Sequence, residues 1–336
     1  MHPLHGVAAA MHGFDEQFVS QHCQGRLSPR IRYHLRTLFP KTAGWGARKD
    51  IERRLAMLEA VQDRLAGVLH PLEEVLYVAK GVQVEVPLLS WLMFLFNHVV
   101  MLLQHVFARQ TNRILFVLTN LRVLMMNTSR RGRLRHGFWQ LYYNQILSFE
   151  EVVSFKPPGH IRLKLRDGTR LRFSGLRRGE RQRVKGLIMQ AAAVQQHMQF
   201  APKVSQSRES LCSTCFQVVP RTVYTCAGCG TEYVAPKVAA IRSLLLPCLG
   251  NFMLGQRFLG MVELVIYAVT WIGFVARMAA NPAQLPVALP FLCILLTMEH
   301  GLSGALTYSM AKKALVPRRT QQPCAPGCLT DFTRGL

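Results

Sequence analysis

From Ala239 onward the chain is dominated by two apolar stretches, about 258–278 and 287–310, each long enough to cross a bilayer. Backbone groups in a hydrocarbon core have no water to bond, so both stretches must be helical. The connector "AANPAQLP" carries no charge and is short enough for a hairpin. Lys237, Arg242 and Arg257 flank the first stretch, and Lys312, Lys313, Arg318 and Arg319 follow the second, so both outer ends belong on the cytoplasmic side, with Arg277 on the far side as a small exception. Residues 243–256 are too short to cross, and with Pro247, Gly250 and Gly255 they read as a broken segment at the interface. Glu263, Glu299 and His300 fall inside the two stretches. A charge at mid-bilayer costs about 2.5–3.5 kcal/mol on insertion scales. These residues therefore read either as a proton or ion path or as hydrogen-bonded groups at a helix contact.

Composition agrees. Half of the 336 residues are hydrophobic and 18% are charged. The formal charge of +23, from 41 Lys+Arg against 18 Asp+Glu, selects a polyanionic neighbour, either an anionic lipid surface or nucleic acid. A cytoplasmic excess of Lys and Arg would raise the same count. The first 30 residues show no apolar signal-peptide core, so the N-terminus is expected to stay in the cytoplasm.

Just before the apolar third stands "CSTCFQVVPRTVYTCAGCGTEY". Four of the nine cysteines lie here, Cys212, Cys215, Cys226 and Cys229, in the pattern C-x2-C-x10-C-x2-C. A CxxC turn brings two thiolates to one side of a tight knuckle, and two facing knuckles supply the tetrahedral sulfur shell that Zn²⁺ accepts. Gly230 follows the second pair and Phe216 takes the equivalent place in the first. A redox dithiol would need one CxxC in an α/β domain, not two matched pairs. The pattern resembles a zinc ribbon, which implies one structural Zn²⁺ in a closed shell with no open position for substrate. "LLLPCLGNFMLGQRFLG", which follows, is similar to the Pro-x-x-Gly lead-in of small two-helix membrane modules, some of them preceded by a zinc ribbon; Cys248 stands where those show Gly.

Residues 1–47 show no clear period, and 48–69 predict a helix with Ile51, Leu55, Leu58, Leu65 and Val68 on one stripe. Residues 72–175 read as strands, ending in the hairpin "HIRLKLRDGTRLRFSGL" around Asp167-Gly168, where Gly tolerates positive φ. A helix follows at about 179–198. The stretches "RILFVLTNLRVLMMN", "YYNQILSFEEV" and "LKLRDGTRLRFSGL" resemble the strand–turn–strand signatures of the bacterial pleckstrin-homology-like (PH-like) family over roughly 72–198. That resemblance implies an antiparallel β-barrel capped by its last helix. The chain departs from it at 86–108, a 23-residue uncharged insert. A single crossing there would separate the first strand from the rest, so an interfacial helix or shallow hairpin is expected.

The expected fold class is an α+β multidomain membrane protein: PH-like barrel, zinc ribbon and α-helical transmembrane hairpin. Its expected parts are an irregular 1–47, an amphipathic helix 48–71, a PH-like domain 72–198, a ribbon 199–237, a membrane module 238–313 and a basic, Cys-containing tail 314–336. The loop "NTSRRGRLRHG" carries Arg130, Arg131, Arg133 and Arg135, the candidate contacts to anionic headgroups. No nucleophile–base pair, phosphate loop or open metal site is visible, so no enzyme activity is expected. The expected role is a membrane-anchored scaffold or accessory subunit in the inner membrane, with most of its mass cytoplasmic and a protein partner or second copy alongside. Two other classes remain: a transport or channel component using Glu263 and Glu299, and a membrane-tethered nucleic-acid binder, the latter disfavoured because no helix-turn-helix or aromatic-basic signature is present.

Overall fold

The computed structural model describes residues 14–42, 46–83, 113–129, 133–152 and 159–318. The apolar insert 86–108, Arg130, Arg131 and the tail cysteines Cys324 and Cys328 lie outside the described residues. The chain is an α+β protein that divides into two units at Pro220.

The first unit opens with α1 (Glu16–Cys23), β1 (Arg32–Tyr33), α2 (Leu35–Leu38), α3 (Ala47–Glu59) and α4 (Gln62–Val68). The strands β2 (Glu74–Gln83), β3 (Arg113–Thr119), β4 (Arg122–Thr128) and β5 (Leu134–Tyr142) follow. A 3-10 turn at Tyr143–Gln145 leads to β6 (Ile146–Val152), β7 (His160–Leu165) and β8 (Arg170–Ser174). Helix α5 (Arg178–His197) and the short strands β9 (Arg208–Leu211) and β10 (Val218–Val219) complete it. The sheet runs β10-β9-β5-β4-β3-β2-β8-β7-β6, with β1 paired to β2 off that path. Every pairing along the path is antiparallel, and its two ends are not joined, so among the described residues the sheet is open.

The apolar stripe predicted for 48–69 is buried, with Ile51, Leu55, Leu58 and Leu65 all at 0% exposure, but the helix is two pieces. The break at Ala60–Val61 has no Gly or Pro to cause it; Val61 leaves helical geometry and turns into the core. Part of 1–47 also differs from the irregular chain expected there. Asp15 caps α1 by accepting from the Phe18 N–H, and Val19 and Cys23 enter the same core as Leu55 and Leu58. An eight-residue helix with two core positions carries too little periodicity to be read alone; tertiary packing makes it.

Two buried ionic clusters tie the helices to the sheet. Arg54 is 2% exposed; it pairs with Asp50 at 3.0 Å, donates to the Val78 carbonyl at 3.0 Å and to the Tyr77 hydroxyl at 2.8 Å, and lies over the Tyr77 ring. In the second cluster, the Glu73 carboxylate accepts from Arg122 at 3.1 and 2.9 Å, from Thr119 Oγ1 at 2.6 Å and from the His70 N–H at 3.0 Å. Asn120 accepts from the Glu74 N–H and donates to the Leu72 carbonyl. Thr119, Asn120 and Arg122 of the "TNLR" turn thus each hold the segment before β2 against the β3–β4 turn.

In the second unit α6 (Pro236–Leu245) and α7 (Leu249–Met253) precede α8 (Arg257–Ala280). A 3-10 turn at Pro282–Gln284 joins α8 to α9 (Leu285–Lys313). Helices α8 and α9 are long and apolar enough to cross a membrane. Past α9 the chain pairs back on residues before α6: Val234 N–H donates to the Val316 carbonyl at 2.8 Å and Arg318 N–H to the Glu232 carbonyl at 2.9 Å.

Burial pushes the Asp50 carboxyl up, but the Arg54 and Arg53 guanidiniums together outweigh it and hold the group below its ordinary value. Its contribution to stability is therefore complete above pH ~4 and is lost as the pH falls through the lower folded value. Asp50→Asn, which leaves Arg54 short of its counter-charge, should destabilise the first unit by about 3 kcal/mol at pH 7. Native-state hydrogen exchange of β2 checks this: unchanged protection, or an equal loss at pH 3, contradicts the assignment.

Candidate metal centre

The sulfurs of Cys212, Cys215, Cys226 and Cys229 lie within 4.8 Å of one another, so the structure brings together all four residues singled out by spacing. They form a candidate metal-binding site. Cys212 and Cys226 are buried at 0% and 1% exposure; Cys215 and Cys229 are partly exposed. The two halves repeat one backbone pattern. In the first, the Cys212 N–H donates to the Gln217 carbonyl at 2.8 Å and the Phe216 N–H to the Cys212 carbonyl at 3.1 Å. In the second, the Cys226 N–H donates to the Thr231 carbonyl and the Gly230 N–H to the Cys226 carbonyl, both at 2.9 Å. The Thr214 N–H also points at the Cys212 sulfur, 3.4 Å away.

This knuckle needs a left-handed residue after its second cysteine. Gly230 supplies it at φ +69°, and Phe216 adopts it at φ +61° despite its side chain. A non-glycine residue there costs roughly 1–2 kcal/mol. The ring offsets that cost by packing: Phe216 meets Phe138 edge-on at a centroid distance of 5.6 Å and joins the core of the first unit. Strand β9, which delivers Cys212, is fixed by buried polar contacts. Arg122 donates to Gln140, Gln140 Nε2 donates to Glu209 at 2.7 Å, and Glu209 accepts from the Ser205 N–H at 2.8 Å. Spacing pointed to the cysteines; it gave no sign of Gln140 and Glu209, which lie 69 residues apart.

Of the headgroup candidates, Arg133 and Arg135 are exposed at the start of β5. A second basic feature appears on the β7–β8 hairpin. Lys164 faces Arg170 and Arg162 faces Arg172 across the strands, on one face of the sheet. Like charges in direct opposition are destabilising, and among the described residues only Arg162 of these four forms an ion pair, with Glu150 at 3.5 Å. Burial first, and then Arg172, Arg162 and Arg181, lower the pKa of His160 at the hairpin's start.

In the second unit, Asn251 Nδ2 donates to Glu263 at 2.7 Å and His300 Nδ1 donates to the Leu244 carbonyl at 2.6 Å. Glu299 makes no hydrogen bond or ion pair among the described residues. The structure thus gives Glu263 and His300 separate partners from the broken segment before α8.

Compared with protein-family models and with curated proteins, the sequence matches none.

The two knuckle positions should respond differently to substitution. Gly230→Ala adds a Cβ that meets nothing within 4 Å, so it should cost only the backbone term, about 1 kcal/mol. Phe216→Ala keeps the strain and loses the ring, and should cost about 3 kcal/mol. Denaturant midpoints of the two variants decide; an equal loss would mean the Phe216 ring does not anchor the knuckle.

Proposed function

We propose that the chain is a membrane-anchored, non-enzymatic scaffold or accessory subunit of the bacterial inner membrane. Helices α8 and α9 span the bilayer, the cysteine module is a zinc ribbon, and the first unit is a PH-like domain whose basic surface meets anionic headgroups. The observation that carries this reading is the outward face of the two long helices. Val265, Val269, Ile272 and Val275 recur at helical spacing on α8 with 54–68% exposure, and Val287, Phe291 and Ile294 on α9 reach 61–81%. A surface of that size is at home against acyl chains.

The zinc reading rests on chemistry and distance. A Zn–S bond of about 2.3 Å gives sulfur–sulfur edges of about 3.8 Å in a tetrahedron, inside the 4.8 Å limit of the cluster. Cys212, Cys215, Cys226 and Cys229 would hold the ion and fill its shell, so its contribution would be to folding. The PH-like reading is supported by four strands in meander order, β2 to β5, a second set, β6 to β8, joined through β2–β8, and a helix directly after β8 whose Gln195 donates to the Leu121 carbonyl. For headgroup contact, the Lys164–Arg170 and Arg162–Arg172 ladder, in which Glu150 answers only Arg162, and the loop arginines offer positive charge that phosphates would satisfy.

Reconstitution of the full chain in nanodiscs of neutral or mixed anionic lipid tests this. The β7–β8 hairpin should exchange amide hydrogen more slowly in the anionic discs, and Lys164→Ser/Arg170→Ser/Arg172→Ser or Arg130→Ser/Arg131→Ser/Arg133→Ser/Arg135→Ser should reduce the difference. Equal exchange in both lipids would remove headgroup binding and leave protein docking as the role of this face.

A further inference from the structure

The segment before α8, where residues 243–256 were expected as a broken interfacial segment, has a register against α9 that first descends and then returns. On the way down, Ala239 shares a buried cluster with Ala311, Ser243 Oγ lies 2.9 Å from Thr307 Oγ1, and His300 Nδ1 reaches the Leu244 carbonyl at 2.6 Å. On the way back, Ser303 Oγ donates to the Pro247 carbonyl at 2.7 Å, Gly250 lies against Thr307, and Leu254 rejoins the cluster of Ala311. The partner positions on α9 therefore run 311, 307, 300 and then 303, 307, 311. Residues 300 to 311 cover about 16 Å of helix, roughly half of a ~30 Å hydrocarbon core.

The turn is built for a medium without water. Helix α6 ends at Leu245, and a helix end leaves carbonyls unpaired. Here the Arg242 carbonyl accepts from the Leu246 N–H, Leu244 from His300 and Pro247 from Ser303, while the Gly250 N–H donates to Ser243 Oγ. The side chains supplying these bonds come largely from the long helix, at positions where an apolar span would otherwise carry Leu or Val. A Cβ at Gly250 would lie 2.1 Å from Ser243 Oγ, so the returning strand of the turn touches the descending helix backbone-close. Yet the outer side of this polar-satisfied turn is apolar and open: Ile241, Leu244, Leu245 and Leu249 are 56%, 47%, 72% and 38% exposed.

We propose that residues 236–256 form a re-entrant hairpin. It enters the hydrocarbon core from the side of Lys312 and Lys313, turns at Leu246–Pro247 about halfway through, and leaves by the same side. The acyl chains of that one leaflet cover Ile241, Leu244, Leu245 and Leu249. The inference rests on the reading of α8 and α9 as spans. It assigns His300, Ser303 and Thr307 to holding the turn, and it separates His300 from any ion path.

A nitroxide attached through a genetically encoded ketone amino acid tests this in the full chain in lipid vesicles and leaves every cysteine untouched. Labels would replace Lys237, Ile241, Leu245, Leu249 and Met253, with Val269 as a span control and Thr222 as an aqueous control. Relative access of oxygen and of an aqueous nickel chelate reports depth. The proposal expects depth to increase from 237 to 245 and decrease again to 253, with nickel access at 245 several-fold below that at 222. Depth that stays flat, or that keeps increasing through 253, overturns the hairpin while a lipid-embedded 269 leaves the spans intact. Nickel access at 269 equal to that at 222 would overturn the spans, and the hairpin with them.

Discussion

Four sulfurs within 4.8 Å of one another set the strongest local condition on this chain. As bare thiolates, each pair about 4 Å apart would repel by about 4 kcal/mol at an effective dielectric of 20. The local sequence accepts this crowding and reinforces it: both knuckles bury their first cysteine, both use a left-handed residue after the second, and one holds a phenylalanine in that conformation by seating its ring in a core. Strain and charge crowding together make sense if a cation supplies the missing attraction.

A second condition governs the other unit: backbone polar groups must find partners inside the protein wherever water is absent. The polar residues of α9, from His300 to Thr307, look costly in a membrane helix when read alone. In the structure two of them donate to the carbonyls of Leu244, at the end of α6, and Pro247, just past it, and the third meets Ser243. The same principle acts in the first unit, where the buried Arg54 and the partly buried Arg122 have their charges and donors answered by carboxylates, carbonyls and a tyrosine. Buried ion pairs such as those of Arg54 add little net stability compared with an apolar core, but removing one partner is costly.

What the sequence disclosed follows from the range of each signal. The β7–β8 hairpin was legible because alternation and an Asp-Gly turn act within a few residues, and α5 because Val184, Leu187, Ile188 and Ala191 fall on one helical face. The cysteine site was legible because ligand spacing is itself the chemistry. The helix at Glu16–Cys23 was not, since only two positions face the core, and neither was the break at Val61, which packing imposes without a Gly or Pro. The Lys164–Arg170 and Arg162–Arg172 oppositions needed the strand register. The break within residues 243–256 was legible from Pro247, Gly250 and Gly255, but its register needed the partners at 300, 303 and 307 on α9.

The most direct test is whether the cysteine cluster holds an ion. Elemental analysis and X-ray absorption of the full chain, purified without added metal, would measure it. The account predicts one zinc per chain with four sulfur neighbours near 2.3 Å. A chain carrying no metal, or a zinc with oxygen or nitrogen in place of one of the sulfurs, would contradict it.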